Sequence, residues 1–144
     1  MREHAKIISP ELLKCGTNVW IGEGAVLDAS GGLEIGDNTQ IGLSVMVWSH
    51  SSHQQALKGE TGLHRESIIR RPTKIGSNCF IAGPTAVGPG VTIGDGVIIS
   101  PLSFVQRDLP DGSIYNVNKE RSNLEDRIAV LEQQLSELRD RIVD

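Results

Sequence analysis

Aromatic residues make up only 3% of the 144-residue chain, and the chain contains two cysteines. A core without large rings must be built from small aliphatic side chains and tight turns. Two isolated cysteines, Cys15 and Cys79, exclude a disulfide framework and a structural zinc site. The net charge is −4, so there is no overall basic field to attract nucleic acid. No apolar run reaches the ~18 residues of a membrane span and no signal peptide is recognisable, so we expect a cytoplasmic protein.

What the chain does contain is a six-residue period. An aliphatic residue recurs every six positions, glycine often follows it, and a turn former such as Asn, Gly, Ser or Asp often stands two residues after that glycine position. Each hexapeptide then supplies a short strand and a corner, and stacked coils pair their backbone groups around one aliphatic core. Twelve hexapeptides at three per coil predict four coils. The repeats begin at Cys15, Ile21, Leu27, Ile35, Ile41, Val47, Ile75, Ile81, Val87, Ile93, Ile99 and Val105.

Residues 15–110 resemble the hexapeptide-repeat family, whose pattern is an aliphatic residue, Gly, any residue, a turn former and a small residue. The resemblance implies an all-β fold, a left-handed parallel β-helix of triangular cross-section. The handedness comes from the resemblance alone, since general rules make parallel crossovers right-handed. We therefore expect a β-helix domain over residues 1–116.

Residues 53–74 interrupt the period between the repeats at Val47 and Ile75. This segment, called the excursion below, contains five Lys or Arg residues and two Glu residues. Long loops on a rigid scaffold often carry function. We expect the excursion to leave the β-helix and to contribute to a binding site.

Residues 117–144 change to a period of three and four, which predicts a coiled-coil helix. Ile at a and Leu at d would favour two strands, yet the segment 127–132 resembles the Arg-to-Glu pattern of parallel trimers. Members of the hexapeptide-repeat family are also typically trimers. We therefore expect a homotrimer held by this helix and by the β-helices. The seam residues are Leu124, Ile128, Leu131, Leu135, Leu138 and Ile142.

The order of segments within residues 41–118 resembles sugar O-acetyltransferases of this family: a strand ending in His50, the excursion, then further repeats up to a closing Ser-Phe-Val-Gln-Arg-Asp-Leu-Pro. The resemblance implies that His50 is the general base. An imidazole with an ordinary pKa near 6.5 can take the proton of an acceptor hydroxyl at working pH. His53, three residues later, is the alternative base, and His64 lies within the excursion.

The same resemblance implies acetyl-CoA as the acetyl donor, bound along the later coils near Ala82, Gly83, Ser100 and Pro101, with Arg107 near a phosphate. Pro101 departs from the family pattern because proline lacks the N–H that a pantetheine carbonyl would use. The implied acceptor is a sugar or nucleotide-linked sugar of a surface polysaccharide.

Three alternatives remain open. The chain is a non-catalytic trimeric scaffold if the cofactor groove has been lost, and an amino-sugar N-acetyltransferase if the acceptor is an amine. A γ-type carbonic anhydrase shares the fold but needs three zinc-binding His. Residues 75–110 contain no His, so that site would need His50, His53 and His64, and we expect no metal.

Overall fold

The chain folds mainly as stacked strands of two or three residues. The computed structural model describes residues 3–62 and 65–143, with side chains up to Arg139. In chain order the strands are β1 (Lys6–Ile8), β2 (Leu13–Cys15), β3 (Trp20–Ile21), β4 (Val26–Asp28), β5 (Leu33–Ile35), β6 (Gln40–Ile41), β7 (Met46–Val47), β8 (His50–Ser51), β9 (Ile69–Arg70), β10 (Thr73–Ile75), β11 (Phe80–Ile81), β12 (Ala86–Val87), β13 (Thr92–Ile93), β14 (Ile98–Ile99), β15 (Phe104–Val105) and β16 (Ile114–Tyr115). The helices are α1 (His53–Lys58) and α2 (Val117–Val143).

Three parallel sheets form the walls of the β-helix. Sheet A has the order β1-β4-β7-β12-β15, sheet B has β2-β5-β10-β13, and sheet C has β3-β6-β11-β14-β16. A single bridge from Leu109 to Ile93 continues sheet B. The chain thus makes five coils, and the predicted number of four is wrong by one. The additional strands are β1 and β16, which lie outside the residues that carry the repeat signature.

The six-residue period correctly predicts which side chains point inward. Eleven of the twelve repeat-starting residues are buried. Eight repeats have a small or β-branched residue at their fifth position, and seven of these eight residues are buried. Cys15 is the exception among the repeat starts. As a repeat-starting residue Cys15 is predicted to face the core, but it is exposed because it lies in the first coil, which has no coil beneath it. Cys79, in the middle of the stack, is buried as expected.

The corners of the coils use left-handed backbone at the predicted turn formers. Asn18, Asn38 and Asn78 all have φ between 54° and 57°, a conformation that Asn tolerates better than most residues. The side chain of Asn18 donates to that of Asn38 at 2.9 Å, one coil further on. Together with the parallel sheets, these corners fit a left-handed parallel β-helix.

The excursion leaves the β-helix between sheets A and B and closes on itself. Strands β8 and β9 pair antiparallel, with His50 opposite Arg70. Helix α1 follows β8, and a 3-10 turn at Arg65–Ser67 precedes β9. Strand β10 begins at Thr73, so it includes the last two residues assigned to the excursion from the sequence, and it pairs with β5 in sheet B.

Helix α2 leaves the last coil with its apolar seam uncovered. The described seam residues, Leu124, Ile128, Leu131, Leu135 and Leu138, are 53–58% exposed in the single chain. Across residues 3–62 and 65–143, no helix has the length and apolar character needed to cross a bilayer.

Candidate active site

A buried carboxylate, Asp28, lies where sheet A turns toward sheet B. Asp28 ends strand β4 and is fully buried. Its Oδ2 accepts hydrogen bonds from the N–H and Oγ of Ser49 at 2.9 and 3.1 Å, and its Oδ1 accepts one from the N–H of Ser30 at 3.0 Å. Burial alone would raise the pKa of Asp28, but the hydrogen bonds from Ser49, Ser30 and His50 outweigh it and lower that pKa from 3.8 to about 2.

His50 is bound to this carboxylate. The distance from Nδ1 of His50 to Oδ2 of Asp28 is 2.6 Å. An ionised carboxylate only accepts hydrogen bonds, so Nδ1 carries a proton and donates it. In the neutral ring Nε2 then holds the lone pair, and within the described residues no side chain or backbone group is hydrogen-bonded to it. The His50 side chain is 27% exposed, which leaves the ring accessible to a bound molecule.

The coil beneath supports the pair. Because Leu27 pairs with Val47, Ser30 lies below His50, and Ser30 Oγ is 3.1 Å from His50 Nδ1. The N–H of Gly31 donates to Ser49 Oγ at 2.8 Å. A side chain at Gly31 would collide with the carbonyl oxygen of Ser49, so only glycine allows the two coils to approach this closely here.

The two candidate bases lie in different surroundings. In a β-hairpin, successive side chains point to opposite faces, so His50 shares one face with Arg70 while Ser51 shares the other with Ile69. Ser51 and Ile69 line a cavity of about 150 Å³ together with His53, Arg71 and Pro89. His53 Nδ1 is 2.7 Å from the hydroxyl of Ser51, and no carboxylate of the described residues is hydrogen-bonded to it. His64, the third histidine of this region, lies outside the described residues.

Four of the five residues implied for donor binding lie together at another corner. Ile81 pairs with Ile99, so Ala82 and Gly83 stack on Ser100 and Pro101 where sheet C turns toward sheet A. The N–H groups of Ala82 and Ser100 already donate to the next coil, to the carbonyls of Ile99 and Tyr115. This corner is separate from the one that carries His50 within a single chain.

Arg107 lies at the same kind of corner as His50, between sheets A and B, but in the last coil. Its guanidinium forms an ion pair with Glu120 of α2. It also lies over the ring of Tyr115, 5.5 Å from the ring centroid. In this structure Arg107 therefore joins the β-helix to the first turns of α2 and is apart from Ala82, Gly83, Ser100 and Pro101.

Sequence reasoning missed Asp28, Ser30 and Ser49. Asp28 is 22 positions before His50, and only the register between coils brings the two together. A signal does exist, because Asp28 occupies the second position of its hexapeptide, where several repeats have glycine. Stacking the repeats in register would have placed this carboxylate one coil below the end of β7.

The comparisons with known proteins agree with the repeat and the fold. Residues 72–107 match the family model "Bacterial transferase hexapeptide (six repeats)". The putative colanic acid biosynthesis acetyltransferase WcaF of Escherichia coli K12 is 33% identical over 110 residues, which are 76% of this chain and 57% of the relative. Galactoside O-acetyltransferase of the same organism is 30% identical over 118 residues, covering 75% of this chain and 54% of the relative.

Among solved structures, a hexapeptide-repeat-containing acetyltransferase of Vibrio cholerae in complex with acetyl-coenzyme A superposes with a TM-score of 0.69. It is 23% identical, and the match covers 79% of this chain and 60% of that one, so it shows the fold. The chain belongs to the hexapeptide-repeat acyltransferase family. It spans a little over half the length of the two curated relatives described above.

Proposed function

We propose that the chain is a cytoplasmic acetyltransferase that moves the acetyl group of acetyl-CoA to a hydroxyl of a sugar or nucleotide-linked sugar, in the synthesis of a surface polysaccharide. The observation that carries the proposal is the Asp28–His50 pair, a buried carboxylate hydrogen-bonded to a partly exposed imidazole. The acetyltransferase names of the two E. coli relatives and the acetyl-coenzyme A complex of the Vibrio cholerae protein support the donor and the reaction type.

In the proposed reaction, His50 is the general base. Its Nε2 takes the proton of the acceptor hydroxyl while the hydroxyl oxygen attacks the thioester carbonyl carbon. The tetrahedral intermediate then expels the CoA thiolate, which receives the proton back from Nε2. Asp28 is a positioning residue: it holds the tautomer with a free Nε2 and stabilises the imidazolium that forms between the two steps. No covalent acetyl-enzyme is needed.

We propose that the complete site lies between subunits of a homotrimer. His50 and the corner formed by Ala82, Gly83, Ser100 and Pro101 are at opposite ends of sheet A in one chain, so the donor of one active site would be held by a neighbouring subunit's corner. Sheets A and C also expose apolar side chains on their outer faces, Met46 and Phe104 on the first and Phe80, Ile98 and Ile114 on the second, which a trimer would cover.

The donor-binding part rests on backbone more than on side chains. Because the N–H groups of Ala82 and Ser100 are used between coils and Pro101 has none, the N–H of Gly83, which donates to no group among the described residues, is the backbone donor left at this corner for a pantetheine carbonyl. The ion pair with Glu120 uses Nη2 of Arg107, so a phosphate would be bound by the other N–H groups of the guanidinium or in place of Glu120. If this corner does not bind CoA, the chain would function as a non-catalytic trimeric scaffold.

The test is acetyl-CoA binding, measured by calorimetry, and acetyl transfer to a panel of sugars and amino sugars. We expect micromolar binding by the wild type and by His50→Ala, with transfer reduced about 10²-fold or more in His50→Ala. His53→Ala is the matched control, and its transfer rate should stay within a few-fold of the wild type. Absence of binding at millimolar acetyl-CoA would support the scaffold, and acetylation of amino groups alone would make the chain an N-acetyltransferase.

A further inference from the structure

The excursion places a basic residue opposite the proposed base. Arg70 is opposite His50 in the antiparallel pair of β8 and β9. The N–H of Arg71 donates to the carbonyl of Ser49 at 2.8 Å, so residues 49 and 71 form a hydrogen-bonded pair. The next pair, His50 with Arg70, is then a non-hydrogen-bonded one, in which the Cα atoms are about 4.5 Å apart and the side chains are close.

Arg70 is exposed and has no carboxylate partner among the described residues. Within the described residues its guanidinium donates a single hydrogen bond, from Nη1 to the carbonyl oxygen of Arg65, which is weak at 3.4 Å. By contrast, Lys74 pairs with Glu34 and Arg107 with Glu120. The carboxylate closest to the site, Asp28, is fully buried and already accepts bonds from Ser49, Ser30 and His50, so the Arg70 guanidinium is left available for an external anion.

We propose that Arg70 determines acceptor specificity by binding an oxyanion of the acceptor, a carboxylate or a phosphate, within one sugar ring of the hydroxyl that is acetylated. The inference rests on the proposed function. A guanidinium binds both kinds of oxyanion through two parallel N–H groups. Its position across from His50 limits the separation between anion and hydroxyl to about the span of a monosaccharide.

An oxyanion of the acceptor is a better ligand for Arg70 than the phosphates of the donor. In acetyl transfer the thioester must lie against the acceptor hydroxyl at Nε2 of His50, and the phosphates of CoA are a whole pantetheine arm away from the thioester. A cation beside His50 is therefore on the acceptor side of the reaction. The excursion as a whole has three more basic than acidic residues in a chain of net charge −4, which favours an anionic ligand at this place.

The experiment compares three probes, methyl glucuronide, glucose 1-phosphate and methyl glucoside, with the wild type, Arg70→Gln, Arg70→Lys and Lys58→Gln. Lys58 is an exposed cation at the end of α1, so Lys58→Gln removes the same charge from the excursion away from His50. Binding of each probe to the CoA-loaded protein is measured by calorimetry, and kcat and KM are measured with acetyl-CoA.

We expect at least one anionic probe to bind about tenfold or more tightly than methyl glucoside, and Arg70→Gln to weaken that probe about 10- to 100-fold. Arg70→Lys should bind that probe more tightly than Arg70→Gln does. Lys58→Gln should bind it as tightly as the wild type, and all variants should bind methyl glucoside equally. A preference for glucuronide identifies a carboxylate as the anion, and one for glucose 1-phosphate identifies a phosphate.

Equal binding of charged and neutral probes, no binding of any probe, or an equal effect of Arg70→Gln on both classes would overturn the inference. These outcomes differ from failure of the proposed function. Transfer to methyl glucoside as fast as to the anionic probes would leave an acetyltransferase without this specificity. Binding of an anionic probe through Arg70 with no transfer would support the anion site and contradict acetyl transfer.

Discussion

At the scale of single residues, Asp28 is the most direct target. Asp28→Asn preserves size but removes the charge that stabilises the His50 imidazolium and fixes its tautomer. We expect kcat to fall about 10²-fold or more while the dissociation constant of acetyl-CoA is unchanged. The pH profile of kcat should also change, which a purely structural role would not produce.

Ser30→Ala provides the matched comparison for that prediction. It removes a neutral hydroxyl 3.1 Å from the same Nδ1 atom and should lower kcat less than tenfold, because the carboxylate remains. If both variants lowered kcat equally, Asp28 would be acting through packing of the corner rather than through its charge.

The low pKa of Asp28 also predicts how stability depends on acid. With a folded pKa of about 2 against an ordinary 3.8, the unfolded chain binds this proton at a higher pH than the native chain. The contribution, about 2 kcal/mol, is therefore complete above about pH 5 and is lost as the pH falls through 3.8 to about 2 and below. Urea unfolding at pH 2 to 5 should show a shallower pH dependence for Asp28→Asn than for the wild type; parallel curves would contradict the assignment.

The sequence predicts one half of the Asp28–His50 pair and not the other. His50 is recognisable because it precedes the excursion, a position that the family resemblance marks. Asp28 is found only when two coils are in register, and the register depends on the Gly31–Gly32 turn, which shifts the repeat by two residues. The separation of His50 from His53 likewise needs the hairpin, since alternation along β8 places Ser51, the hydrogen-bond partner of His53, on the face opposite to His50.

At the scale of elements, the corners between sheets B and C are linked by a ladder of side chains. The N–H of Ser77 donates to Asp95 at 2.7 Å, and the N–H of Asp95 donates to Asp111 at 2.8 Å. Asp95→Ala removes the first of these bonds, and we expect the free energy of unfolding to fall by about 1 kcal/mol. Chemical denaturation measures the change.

Glu23→Ala is the control for the ladder. Glu23 is also an exposed carboxylate at a corner, but none of its side-chain atoms makes a hydrogen bond or ion pair within the described residues. Its removal should change the free energy of unfolding by less than about 0.5 kcal/mol. A similar loss in both variants would mean that net charge, rather than the ladder, stabilises the corners.

The period of six identifies the elements between Trp20 and Val105 well because the inward positions are aliphatic and the corners demand particular backbone. It fails at both ends. Strands β1 and β16 lack the glycine that follows seven of the twelve repeat-starting residues, yet their backbone groups pair with β4 and β14. Stacking on an existing coil is enough to order them, and no local pattern in the sequence reports that.

At the scale of the whole molecule, the exposed seam of α2 argues for association. Five described Leu and Ile side chains on one helix face are more than half exposed, an arrangement that is stable only when another helix covers it. We predict that the wild type sediments as a species about three times the 15.6 kDa of one chain, and that Leu131→Lys weakens this association because it buries a charge in the seam.

Val130→Lys is matched to Leu131→Lys. Val130 is 55% exposed, against 56% for Leu131, but it lies off the seam, so its substitution should leave the sedimentation unchanged. Equal dissociation of both variants would assign the effect to helix charge. A wild type that sediments as a single chain or a pair would contradict the trimer.

The closure of the excursion has a consequence for how this protein changes over time. Ser49 and Arg71 meet at its base, and Thr73 takes its place beside Leu33 in sheet B just as an uninterrupted repeat would. The part of the segment between His50 and Arg71 can therefore be lengthened, shortened or exchanged without moving any coil out of register or removing the proposed base. Acceptor preference can then diversify among related chains while the aliphatic core and the corners stay the same.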